Sequence, residues 1–205
     1  MIKLWGRVNS INVSKVLWIL EEVGAPYTRS DGIDAKGNHS TELLAANPNA
    51  RVPAINDEGF VLWESNAIVR YLSYKYGLGT IYPTDVRERA ESEQWMEWQQ
   101  TSISPPLALP FHGLIRRHPQ YRDHASIERA GAELDRLWRI LDAHLSDRDY
   151  VLGDEFSMAD IPLGVAAWRW FNLPMKRAEV PQVERWFETL KTRESYRKHV
   201  MRPLS

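Results

Sequence analysis

The spacing of apolar positions divides this chain near residue 78. Ile2 to Trp5 is an apolar run of strand length, and from Val13 to Val23 apolar residues fall at 13, 16, 17, 19, 20 and 23, a helical spacing. Gly24 and Pro26 stop that helix, and Pro26 to Arg29 reads as a second strand. A polar loop, Ser30 to His39, leads to a short helix opening at Ser40 and closing at Asn47-Pro48. Val52 to Asn56 and Phe60 to Trp63 flank Asp57-Glu58-Gly59, which predicts a β-hairpin. Ala67, Ile68, Tyr71 and Leu72 then share one helical face. The order βαβαββα joins a parallel crossover to an antiparallel hairpin, so it predicts a mixed four-stranded sheet with helices packed on it.

Beyond Gly77-Leu78-Gly79 no strand pattern returns. Glu88 to Thr101, Ile127 to Leu145, Met158 to Trp170 and Val183 to Arg193 are helical by spacing or propensity, with breaks expected at Pro105-Pro106, Pro119, Gly153 and Pro174. The expected organisation is an α/β domain over 1–77, a linker over 78–84 and an all-helical domain over 85–205. Ser157-Met158-Ala159-Asp160 has the form of a helix-capping box and is read as structural.

Composition narrows the function. Hydrophobic residues at 43% and charged residues at 26% describe an ordinary globular chain. Net charge is −1, with 8 basic against 8 acidic residues up to Leu78 and 18 against 19 after it, so neither half carries an electrostatic footprint for nucleic acid or an anionic membrane. No apolar run approaches the roughly 20 residues of a membrane span, and the start lacks a signal-peptide pattern, so a cytoplasmic location is expected. The chain contains no cysteine, which excludes disulfides, thiolate metal sites and a catalytic thiol of its own. No metal is expected.

Two short segments carry chemistry. In Ala50-Arg51-Val52-Pro53-Ala54-Ile55 a proline opens a strand, and X-Pro is the one bond where the cis form costs only about 0.5–1 kcal/mol. A cis Val52-Pro53 bond would leave the Val52 backbone groups free for a peptide-like ligand; a plain proline-initiated hairpin is the other reading. Glu64-Ser65 sits at a strand-to-helix junction, where first-turn N–H groups and the Ser65 hydroxyl favour an anion by roughly 0.3–1 kcal/mol. Glu64 can pair with an ammonium, so a ligand bearing both an α-carboxylate and an α-amine satisfies the pair. Helix capping alone would also explain Ser65.

The segments "SINVSKVLWILEEVGAPY", "NPNARVPAINDEGFVLWESNAIVRYL" and "SMADI" together resemble the cytosolic glutathione transferase family in its bacterial branch, in order and over nearly the whole chain. The resemblance implies a thioredoxin-like domain followed by a helical domain, with glutathione as co-substrate. It implies that the γ-glutamyl end lies on Glu64 and Ser65, that the cysteinyl backbone pairs with Val52 beside cis-Pro53, and that the glycyl end lies near Lys36 and His39. Arg51 would cover the ligand carboxylate or shield the sheet edge. It further implies a homodimer and detoxification chemistry, the first domain of one chain facing the helical domain of the other.

The junction "GRVNSINVSKV" then lies where a thioredoxin-like fold presents its reactive group, and the thiol belongs to the ligand. A free thiol has a pKa of about 8.5, and lowering it two units requires roughly 2.7 kcal/mol of preferential anion stabilisation. A hydroxyl or amide donor plus a helix N-terminus can supply that. Family members use Tyr, Ser or Cys types here. No Tyr precedes Tyr27, and the Ser-x-Asn-x-x-Lys spacing favours Asn12, with Ser10 second; counting back from the basic residue instead points to Ile11. Asn12 also serves as an ordinary N-cap. Lys15 is expected to face solvent or the domain interface.

For the electrophile, Ile11, Trp98, Phe111 and Trp168 are candidate walls beside Trp95, although aromatic residues at helical spacing also build cores. Arg7, Gln99 and Ser102 are candidates for polarity near the sulfur. Ile115-Arg116-Arg117-His118 reads as a solvated helix end or the seat of a polar substrate tail. The expected function is glutathione transfer to a small electrophile; the alternatives are a glutathione-dependent disulfide or peroxide reductase and a non-catalytic ligand-binding or interaction module of the same fold.

Overall fold

The computed structural model describes residues 1–34 and 36–205. Strand β1 (Ile2–Trp5) pairs in parallel with β2 (Tyr27–Ser30) and antiparallel with β3 (Ala54–Asp57), which forms a hairpin with β4 (Phe60–Trp63). The sheet order is β2-β1-β3-β4. Helix α1 (Ile11–Glu22) makes the crossover, α2 (Thr41–Ala46) follows β2, and α3 (Ser65–Gly77) follows β4. The mixed sheet expected from the apolar pattern is present. Gly6 allows the β1–α1 turn, because a Cβ there would meet Val13 Cγ2 at 2.4 Å.

The helical domain contains α4 (Val86–Trp98), α5 (Ser104–Pro110), α6 (His124–His144), α7 (Asp160–Phe171), α8 (Pro181–Lys191) and α9 (Glu194–His199). Pro105-Pro106 does not break the chain's helical course as expected. A π-helical turn over Gln99–Ile103 joins α4 to α5, the Ser104 N–H donating to Gln99 O. That extra residue sets both prolines in the first turn of α5, where a missing donor costs nothing. A second π-helical turn, Phe111–Ile115, extends the path.

The two domains share one core through α1. Trp18 is buried with its ring edge-on to Tyr196 at 4.7 Å and tilted against Phe156 at 5.5 Å. Its indole donates to Glu22, which also accepts from Arg193 at 2.7 and 2.8 Å. The Tyr196 hydroxyl donates to Gly164 O at 2.8 Å, where α7 passes against Trp18. These contacts clamp the second half of α1 between the two domains.

The expected capping box is built. Asp160 Oδ2 accepts from the Ser157 N–H and hydroxyl, Ser157 Oγ from the Ala159 N–H, and Asp160 Oδ1 from the Val151 N–H and the Trp186 indole. Burial pushes the Asp160 carboxyl pKa up, and these donors pull it back down.

Candidate active site in the interdomain cleft

The first turn of α1 carries polar groups left unbonded. Ser10 is the N-cap residue by backbone conformation, with φ −84° and ψ 124°, yet its side chain makes no capping bond. Asn12 is the second residue of α1, partly exposed, and its amide has no partner among the described residues. Both groups are therefore available to a ligand at a helix N-terminus, where anions are favoured.

In the same domain, β3 begins only at Ala54, after a cis Val52-Pro53 bond, and Val52 lies outside the strand ladder. Glu64 adopts a left-handed backbone, φ 71°, at the junction of β4 and α3. For a non-glycine residue this conformation is uncommon and concentrates at functional sites. Ser65 follows as the first residue of α3 and is 3% exposed. Arg51 is exposed, and its carbonyl accepts from the Asn47 amide at 2.8 Å. Lys36 and His39 are exposed on the β2–α2 loop, which Asp34 shapes by accepting from the Lys36 and Asn38 N–H groups. That loop feeds α2, whose Leu43 and Ala46 pack with Trp5 and Ala54 in a small core touching Val52.

Lys15 is at the domain interface rather than in solvent, and it is 0% exposed. Its ammonium donates to Asn66 Oδ1 at 3.1 Å and to Gln99 Oε1 at 2.9 Å. Asn66 is aimed by donating to Met96 O, and Gln99 by donating to Ser104 Oγ. Both acceptors are neutral, so burial lowers the Lys15 pKa to about 7; Glu64 and Glu97 pull it up and Arg169 pushes it down. Nothing in the spacing of apolar residues signals this partnership across 84 positions.

Beside the α1 turn lies a narrow pocket open to solvent. Ile11, Phe111 and Trp168, candidate walls by sequence, line it; Asn9, Ser14, Val165, Arg169 and the tail residues Arg202 to Ser205 line it too, none of them singled out from the sequence as walls. The tail is tied down where the Trp168 indole donates to Arg202 O at 2.9 Å and the Asn9 amide to Ser205 Oγ at 3.2 Å. Trp98 and Ser102 do not line this pocket: Trp98 packs edge-on to Trp95, which in turn meets His144. Arg7 is exposed on the β1–α1 loop. Among the described residues no cluster of His, Asp and Glu could hold a metal ion.

Two family models match: the glutathione S-transferase N-terminal domain over residues 1–74 and the glutathione S-transferase C-terminal domain over residues 125–189. The chain belongs to the glutathione S-transferase family. It is 40% identical to glutathione S-transferase GstB of Escherichia coli over all of both chains. It is 34% identical to the disulfide-bond oxidoreductase YfcG of the same organism, covering 89% of this chain and 86% of that one. The theta class glutathione S-transferase of Xanthomonas axonopodis pv. citri, solved with glutathione bound, superimposes with a TM-score of 0.92 at 40% identity, covering 100% and 99% of the two chains. For this member of the family, the fold and the order of the cleft's elements are thereby fixed.

Proposed function

We propose that the chain is a glutathione transferase whose Asn12 amide, assisted by Ser10, steadies the thiolate of bound glutathione for attack on an electrophilic carbon. The observation that carries the reading is the presence, in one cysteine-free domain, of Ser65 at a helix start behind a left-handed Glu64 and of an unbonded polar turn, Ser10 and Asn12, at the start of another helix. These groups fit a γ-glutamyl tripeptide. Ser65 and the α3 N-terminus accept its α-carboxylate, Glu64 its α-ammonium, and Val52 its central backbone. Arg51, Lys36 and His39 supply donors toward the glycyl carboxylate. Ile11, Phe111 and Trp168 give the co-substrate an apolar seat, and preorganised donors at the α1 turn stabilise the sulfur anion.

Mixing the protein with glutathione at neutral pH should produce the ultraviolet difference band of a thiolate, with an apparent thiol pKa about two units below that of free glutathione. No band would count against the reading. A second reading, glutathione-dependent disulfide reduction, is favoured by the likeness to YfcG; turnover of a mixed disulfide against conjugation of a halogenated aromatic separates the two.

The chain is further proposed to work as a cytoplasmic homodimer in detoxification. Support for the dimer comes from the exposed side chains of Phe60 (50%), Trp63 (36%) and Tyr74 (56%) on the β4 edge and α3. Sedimentation should give twice the mass of the chain, and a Phe60→Glu variant should shift it to one. No helix among the described residues is long and apolar enough to cross a membrane.

A further inference from the structure

The pocket beside the α1 turn has an apolar wall with a cationic lining. Arg169, on α7, stacks over the Phe111 ring with its guanidinium carbon 3.8 Å from the centroid, and Arg116 stacks on the same ring at 4.9 Å. Arg169 Nε is buried and has no acceptor. Neither guanidinium pairs with an Asp or Glu among the described residues; that of Arg116 donates to the main-chain oxygen of Ser205, the last residue, at 3.3 Å. Instead like charges face each other. Burial and then Arg116 push the Arg169 pKa down to about 10, and burial and then Arg7 lower that of Arg116. Arg169 still stays charged at neutral pH.

Two guanidiniums on one aromatic ring, with no Asp or Glu paired to either among the described residues, repel each other in the free protein. A partly desolvated guanidinium with an empty donor is compensated best by a ligand anion, and a carboxylate matches its fork geometry. Ile11, Phe111 and Trp168 present apolar surface beside it. We propose that the electrophile of this transferase is an anionic one, an apolar or aromatic body bearing a carboxylate that Arg169 and Arg116 hold, with the reactive carbon turned toward the α1 turn. This rests on the glutathione reading and specifies its co-substrate. The carboxylate anchors one end at Arg169, and the leaving group lies at the other, beside the α1 turn.

The test uses a matched pair, 4-chloro-3-nitrobenzoate and its methyl ester, with glutathione and the intact protein. In each reaction the thiolate forms a bond to the ring carbon carrying chlorine, the carbon–chlorine bond breaks, chloride leaves, and the thiol proton passes to solvent. After each rate is divided by its uncatalysed rate, kcat/KM for the benzoate should exceed that for the ester by about tenfold or more. Arg169→Gln and, independently, Arg116→Gln should each erase about tenfold of the benzoate rate, mainly in KM, and leave the ester within about threefold. Arg169→Lys should restore part of the preference. Added salt should weaken benzoate turnover alone.

Equal turnover of the two compounds, or equal loss of both in the Arg169→Gln and Arg116→Gln variants, overturns the proposal. So does turnover of neither by a protein that forms the glutathione thiolate, and in each of these cases the glutathione reading stands. Absence of the thiolate band as well overturns both.

Discussion

Two polar centres of this molecule are equally buried and oppositely finished. At the start of α7, Asp160 is 0% exposed and accepts four hydrogen bonds, from Val151, Ser157 twice and Trp186, all from within the chain. Around the start of α1, Lys15 is just as buried but has only two neutral amide acceptors, while Ser10 and Asn12 leave their side chains unbonded and Arg169 keeps a donor empty. Saturation marks a brace, and unsaturation marks a place where something else completes the bonding. The contrast gives substitutions opposite signatures. At the first centre they should unfold the chain; at the second they should spare it and damage the chemistry.

The largest effect is expected at the brace. Asp160→Ala removes an acceptor shared by four donors on three separate segments and leaves them buried, which should cost about 3–5 kcal/mol of stability in urea melts. Activity per folded molecule should be unchanged at low temperature. A loss below about 1 kcal/mol would break the comparison from its first side.

Next is the α1 turn. Asn12→Ala should lower turnover by about a hundredfold, the equivalent of some 2.7 kcal/mol, with the melting temperature and glutathione affinity little altered. Ser10→Ala should cost less. The reverse ranking would move the sulfur contact to Ser10. Ser65→Ala, at the start of α3, should weaken glutathione binding about tenfold in calorimetry, in line with loss of one charge-assisted bond.

The halves of the cleft differ in how much of them the sequence disclosed. The half contributed by the first domain was legible because its devices are local. Pro53 declares the odd strand start, Glu64-Ser65 the strand-to-helix turn, and Ser10 with Asn12 the helix entry, each within a few residues of its signal. The same holds for Ser157 to Asp160, a box closed across three positions. The helical half was legible only as helices. Its course through Pro105-Pro106 depends on a π-helical turn that no apolar spacing announces, so a break was expected where the helical path continues. The pocket joins Asn9 to Ser205 and Trp168 to Arg202, contacts that arise from tertiary packing. Arg169 lies inside an apolar helix where its neighbours predict only core, and Trp98, an apparent wall, turned out to pack on Trp95.

Lys15 gives the subtlest test, because it belongs to the unsaturated centre while being wholly enclosed. Its pKa falls from 10.5 to about 7 on folding, chiefly through burial, with Glu64 and Glu97 pulling upward and Arg169 pushing down. Between those two values the unfolded chain binds more protons than the folded one, so stability must rise with pH across the window. The lysine's unfavourable contribution is absent above pH 10.5 and grows as pH falls toward 7. Comparing urea melts of the wild type with Lys15→Met at successive pH values should therefore give a difference that changes by up to about 1.4 kcal/mol per pH unit, favouring the wild type as pH rises. At pH 7 the two should be close, since loss of a buried ammonium offsets loss of its bonds to Asn66 and Gln99. A difference independent of pH would mean that Lys15 keeps its proton throughout, and its partners would then belong with those of Asp160.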